Sequence, residues 1–302
     1  MSELFNLESE IVDRVLKIPD AFREFSVPIS VAKRIFGLDE ALRSRLLDLG
    51  LPHRGTARDT HFDPLDLENI GTFLRLPALH WSAMRLWSRS LAKPRSRQQH
   101  PTCQVKLRWK CPAPGHSGEC HFSISPEFKR ALGIVSLVGK KSITLDAVIE
   151  NRAHDFGLAL DPVIREAGTL IYHRLPPELI DDTGFLREHR LADCRSATGH
   201  LVHIANRSGL NSRPAWGLFM AGPYPVIHAW PEIEQAGAWV PADPFFLATL
   251  QQWDVLSGTD WPLSRAPQGV LWRLGVKGGL NFHIVYHGQG GASISLIARW
   301  QE

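Results

Sequence analysis

Residues 225–244, PVIHAWPEIEQAGAWVPADP, constrain the fold of this chain more than any other stretch. Side chains along a strand point alternately to its two faces, so His228 and Trp230 share one face. An Ala-Gly turn follows, and the return run places Trp239, Pro241 and Asp243 on one face before Asp243-Pro244 ends it. A short hairpin of this kind brings His228 and Asp243 into adjacent positions.

A helix signal lies upstream. Asp193 is a good N-cap, the run 195–208 puts Ala197, Leu201, Ile204 and Ala205 on one face, and Gly209 supplies the stop. Cys194 therefore falls in the first helical turn, where the helix dipole and the unbonded N–H groups favour a thiolate. Singly, each residue has an ordinary structural reading: a helix-start thiol, a satisfied strand histidine, an Asp-Pro turn. Together they offer the parts of a nucleophilic triad. The imidazole takes the thiol proton, and the carboxylate fixes the ring tautomer and stabilises the imidazolium.

Cys194, GLNSRPAWG at 209–217, HAWPEI at 228–233 and GAWVPADP at 237–244 together resemble the core of the transglutaminase-like superfamily, a papain-type cysteine-enzyme fold, over roughly residues 155–300. The family pattern is a helix-leading cysteine, a Gly-Ile-Pro-Ala-Arg-like segment entering a strand, His-Ala-Trp-x-Glu, and Gly-x-Trp-Val-x-x-Asp-Pro. The resemblance implies Cys194 as nucleophile, His228 as general base and Asp243 as orienting carboxylate. It also implies an α+β fold with a papain-like transglutaminase core, in which the helix bearing the cysteine packs on an antiparallel sheet. The expected activity is hydrolysis of a peptide or protein amide or isopeptide through a thioester. Amide-forming acyl transfer is the alternative, and no cofactor is required.

Ahead of that core the chain reads as a helical, helix-turn-helix-like domain (1–91), a basic linker (92–102) and a β-hairpin or accessory region (103–154), with the catalytic domain at 155–302. Residues 5–24 form an amphipathic helix candidate. Ile29, Ala32, Ile35 and Phe36 share a helical face, Gly37 breaks the helix, and Asp39 caps a second one that runs through Leu42, Leu46 and Leu47 to Gly50. A small hairpin or wing and a helix beginning near Pro64 follow. This stretch resembles the N-terminal module of MerR-type and excisionase-type DNA-binding proteins. The resemblance implies contact with double-stranded DNA through residues 27–70, with Arg43 and Arg45 in the major groove and Arg54 and Arg58 on phosphates. The other reading is a small helical domain for protein contacts, and acids in the same helix (Asp39, Glu40, Asp48) oppose DNA. From Gly71 to Lys110 there are nine Lys or Arg and no Asp or Glu, a segment suited to phosphates or to a basic surface. A regulator whose second domain only senses a ligand is the competing class of function.

Between 103 and 126 the pattern predicts a hairpin, with CQVKLRWK and CHFSIS alternating around CPAPGHSGE. The loop gathers Cys111, His116, Cys120 and His121, the donor types zinc prefers, and so offers a structural zinc site. Buried thiols with a surface histidine are the alternative, and neighbouring Cys120 and His121 would face opposite ways on a strand. The four cysteines do not make a disulfide scaffold, no apolar run has the length of a membrane span, and no secretory signal opens the chain. The expected setting is cytoplasmic, without membrane association.

Overall fold

Glycines and capping carboxylates set the helix boundaries in the first part of the chain. The computed structural model describes residues 3–92, 101–112, 115–117, 120–132, 141–151, 153–267, 269–276, 283–288 and 290–301. Its elements begin with α1 (Glu3–Val15), β1 (Val27–Pro28), α2 (Ile29–Phe36), α3 (Glu40–Asp48), β2 (His61–Phe62), α4 (Pro64–Phe73) and α5 (Leu79–Ala92). There follow β3 (Thr102–Lys110), β4 (Phe122–Ile124), α6 (Pro126–Leu132), β5 (Ser142–Val148), α7 (Asp161–Ala167), β6 (Ile171–Tyr172), α8 (Pro177–Ile180), α9 (Thr183–His189) and β7 (Leu191–Ala192). The rest comprises α10 (Cys194–Arg207), β8 (Ser212–Phe219), β9 (Val226–Gln235), β10 (Ala238–Pro241), α11 (Pro244–Gln252), β11 (Leu271–Gly275), β12 (Val285–His287), β13 (Gly290–Gly291) and β14 (Ser293–Trp300). The fold is α+β.

The backbone falls into two compact units that interleave along the chain. The first comprises residues 1–85 and 169–196, the second 86–168 and 197–302. In the first, α2 ends at Gly37, which takes the left-handed conformation (φ 73°) that glycine adopts without penalty. The Asp39 carboxylate accepts from the Leu42 N–H at 2.8 Å and starts α3, and Asp63 does the same for α4, with Pro64 in the first turn. Ile11, Val12 and Val15 of α1 bury with Ala32, Leu42, Leu46, Phe62, Leu67 and Ile70 as one core. Strands β1 and β2 pair antiparallel, and the Arg54–His61 bridge extends the arm around residues 55–60. The segment 169–196 completes this unit. Its β6 and β7 pair in parallel, and the Asn69 side chain exchanges hydrogen bonds with the Arg174 backbone at 2.7 and 3.1 Å.

In the second unit β8 to β11 form an antiparallel sheet in the order β10-β9-β8-β11. The body of α10 buries Ala197, Leu201 and Ala205. Its end is tied to the start of β8, where the Ser212 hydroxyl donates to the Val202 carbonyl at 3.0 Å and the Ser212 N–H donates to the Asn206 side chain at 3.0 Å. Gly217 on β8 is needed for close approach: a Cβ there would run into the Trp272 carbonyl of β11, beside the bulge at Arg273 and Gly275.

Three sequence expectations need correction or bounding. Residues 103–126 do not form a hairpin. Instead β3 lies between β14 and β5, and β4 pairs with β12. Alternation predicts a strand but not its partner, and two of these partners, β12 and β14, come from the far end of the chain. Helix α1 stops at Val15 rather than reaching residue 24, since Pro19 follows and cannot continue a helix. The basic linker lies largely outside the described residues, which omit 93–100.

Candidate active site and metal centre

His228 and Asp243 meet through the hairpin of β9 and β10. The His228 Nε2 lies 2.6 Å from the Asp243 Oδ2, and both residues are buried, 6% and 3% exposed. Asp243 has a second duty. Its Oδ1 accepts from the Phe246 N–H at 3.1 Å, so the carboxylate also caps α11. The imidazole is walled by aromatic rings: Trp230 stacks at 6.0 Å between centroids, Phe246 lies at 4.9 Å and Phe219 at 6.3 Å. Across the ladder its partner is Gly217, which adds no side chain beside the ring. A carboxylate can only accept, so Nε2 carries the proton in this pair, and Nδ1 is the nitrogen that would exchange a proton with a reacting group.

Cys194 is set by a different local device. Asp193 Oδ1 accepts from the Arg195 and Ser196 N–H groups at 2.8 and 3.1 Å, while the Ser196 hydroxyl accepts from the Asp193 N–H at 3.0 Å. This reciprocal capping fixes the first turn of α10 and places Cys194 at its first position. Cys194 is half-buried, whereas Cys103 is buried. Tyr172 and Arg174 lie within electrostatic reach of its sulfur. Burial pushes the Tyr172 phenol up; Arg174 opposes this, and Cys194 and Asp193 add to it. Burial works against the Arg174 charge, but Glu68, Tyr172, Asp193 and Cys194 outweigh it and hold the guanidinium above its ordinary value.

Composition and pattern did not point to a charge cluster around Glu232. That carboxylate is 2% exposed and accepts from Arg213 Nε and Nη2 at 2.9 and 2.8 Å and from Arg273 Nη1 at 3.0 Å. Arg213 also lies over the Trp239 ring at 4.0 Å. Glu232 and His228 point to the same face of β9, because they are four residues apart on a strand. Both partners of the first pair stand in the quoted motifs, in HAWPEI and GLNSRPAWG, so the signal was present as opposite charges in adjacent strands.

The arginines expected on DNA are placed as follows. Arg45 forms a bidentate pair with Glu8, which is 1% exposed, and Arg54 lies over the Phe25 ring at 4.7 Å. Arg43 is half-buried and Arg58 is exposed.

Cys111, His116 and Cys120 do come together, and the fourth member is His287, not His121. One donor atom from each lies within 4.8 Å of all the others, and the cluster could hold a metal ion. The Cys111 Sγ is 3.8 Å from the His287 Nε2, and the His116 Nε2 is 3.2 Å from the Cys120 Sγ. His121, next to Cys120 and just before β4, is not one of the four. Sequence gave no hint of His287, which lies 176 residues from Cys111. Desolvation, and then the neighbouring Cys111 thiol, push the Cys120 thiol above its ordinary value.

No family model matches the chain, and no curated protein matches it. Among solved structures it is similar to a protein from Cytophaga hutchinsonii described provisionally as a cysteine protease. The identity is 9% and the TM-score 0.34, over 68% of this chain and 92% of that one. A likeness this distant carries no argument for activity. Among the described residues no helix is long and apolar enough to cross a membrane.

Proposed function

We propose that the chain is a cysteine hydrolase of transglutaminase-like type that acts on a peptide or isopeptide amide. The observation that carries the reading is the buried His228–Asp243 pair at 2.6 Å, held by the same carboxylate that caps α11. A half-buried Cys194 at the first position of a capped helix supplies the matching nucleophile. In this reading the Cys194 thiol passes its proton to the His228 Nδ1, and the sulfur attacks the amide carbonyl carbon. The tetrahedral oxyanion is stabilised by N–H groups of the α10 terminus. Collapse breaks the C–N bond, the imidazolium protonates the departing amine, and a thioester remains. His228 then deprotonates a water that attacks the thioester, releasing the acid and restoring the thiol. An amine in place of that water forms a new amide, which is the acyltransferase alternative.

The test is interception of the thioester. Full-length protein is incubated with a panel of peptide amides and isopeptides, with hydroxylamine as the competing nucleophile. Hydroxamate products should form with the wild type and vanish in Cys194→Ser and His228→Ala, while Cys103→Ser retains them. Equal hydroxamate formation by Cys194→Ser removes the proposal.

A DNA-docking regulator draws support from the α2–glycine turn–α3 arrangement. Against it, Arg45 and Arg54 are already engaged within their own unit. Salt-dependent duplex binding by the full chain, weakened by Arg43→Ala and Arg58→Ala, is the result that would favour it.

A further inference from the structure

We infer that Cys111, His116, Cys120 and His287 bind one zinc ion in a closed, structural site. The residues come from three places in the second unit: the end of β3, the loop that follows it, and the end of β12. Strand β3 belongs to the sheet β14-β3-β5, while β12 belongs to the sheet β13-β12-β4. The ion would therefore add a cross-link between two sheets that the chain joins through the loop after β3 and the short step from β13 to β14.

The geometry is close to what zinc requires. Tetrahedral coordination with ordinary Zn–S and Zn–N lengths puts neighbouring donor atoms roughly 3.3–3.8 Å apart. The two measured pairs stand at 3.8 and 3.2 Å, and no pair exceeds 4.8 Å. A contraction of about 1–1.5 Å at the widest pair would complete the shell.

The histidine orientation points the same way. The His116 Nδ1 lies 3.2 Å from the Ser117 carbonyl, and a carbonyl can only accept. Nδ1 thus carries the proton, and Nε2 turns its lone pair toward the cluster. A backbone acceptor on the second ring nitrogen is the usual support of a metal-bound imidazole. Phe122 packs against the His287 ring at 5.2 Å and meets Trp109 at 6.2 Å, which gives the site an aromatic floor. His287 is held in register by its pairings with Phe122 and Gly290.

The donor set selects the ion and its role. Two thiolates and two imidazoles in a tetrahedron suit zinc, and oxygen-loving magnesium or calcium finds no carboxylate among the four. All four positions are filled by protein, so no site remains for a reactive water. The role is to stabilise the fold. This inference is independent of the cysteine-hydrolase reading.

The experiment is metal analysis of the full-length chain purified without chelator. One zinc per chain is expected, and the zinc-free protein loaded with Co²⁺ alone should show the visible bands and thiolate charge-transfer absorption of tetrahedral cobalt. His287→Ala and Cys120→Ser should lose both signals, and His121→Ala should keep them. Chelation should lower the Tm of the wild type but not of Cys120→Ser. The inference is overturned if wild-type protein holds no stoichiometric zinc and gives no cobalt spectrum. A Cys111–Cys120 disulfide found by intact mass, or metal loss in His121→Ala with retention in His287→Ala, would overturn it as well.

Discussion

Replacing Asp243 separates its two duties and thereby tests the proposed triad. Asp243→Asn keeps an N-cap, because asparagine caps as well as aspartate, so the Phe246 N–H stays bonded and α11 stays formed. What changes is the partner of His228: a carboxylate 2.6 Å away becomes a neutral amide. Both residues are buried, so solvent does not screen the loss. A hydrogen bond to a charged group contributes about 1.5–3 kcal/mol, which here is stabilisation of the imidazolium. In the proposed site that imidazolium is paired with the Cys194 thiolate, so the reactive pair should fall roughly 10- to 100-fold in Asp243→Asn. Asp243→Ala should show the same chemical loss together with a stability loss of about 2–4 kcal/mol, from the missing cap and an unsatisfied ring nitrogen. The assay is the rate of iodoacetamide labelling of Cys194 at about pH 6, where an ordinary thiol is mostly protonated, read by peptide mass spectrometry. Denaturant unfolding runs in parallel. The reasoning fails if Asp243→Asn labels Cys194 as fast as the wild type, or if it unfolds as readily as Asp243→Ala.

Other outcomes follow from the first unit. Arg45→Met should destabilise the protein, because it strands the Glu8 carboxylate in a site that is 1% exposed, and a lower urea unfolding midpoint measures it. Asp193→Ala should cost about 1 kcal/mol by removing the cap of α10, seen as a lower unfolding midpoint. His173 and Asp66 should oppose each other in pH dependence. Burial, with Arg14 and Arg23 nearby, pushes His173 down to about 3, so the unfolded chain takes up the proton first and stability falls as the pH drops below about 6.5. Burial raises Asp66 to about 7 against the pull of Arg23, so the folded chain takes up that proton first and stability rises over the same window. Asp66→Asn should unmask the His173 effect as a loss of about 2 kcal/mol between about pH 7 and pH 5 in denaturant titrations, and a flat profile in that variant would refute the assignment.

What could be read from sequence was what is decided locally. Gly37, Asp39 and Asp193 act on backbone groups within a few residues, and each stands where its chemistry predicts. The β9–β10 hairpin was legible for the same reason, since alternation and a glycine turn place His228 and Asp243 without outside help. The pairing of β3 with β14 was not legible, because a strand's edge carries no address for a partner nearly two hundred residues away. The fourth metal-cluster residue was missed on the same ground: Cys111, His116 and Cys120 lie in one loop, but His287 arrives only through the pairing of β12 with β4. Glu232 and Arg213 lie between these cases, both inside quoted motifs but joined only by the register of β8 on β9.

The first unit is finished by a segment that leaves the ribosome long after its opening helices. Asn69 waits 105 residues for the Arg174 backbone, and β7 and Asp193 emerge later still. An amino-terminal fragment that stops before residue 169 therefore leaves α4 without a bonding partner that the whole protein supplies. Strands β3 to β5 of the second unit are also synthesised before that closure, so the first unit's two parts are separated in time by pieces of another unit.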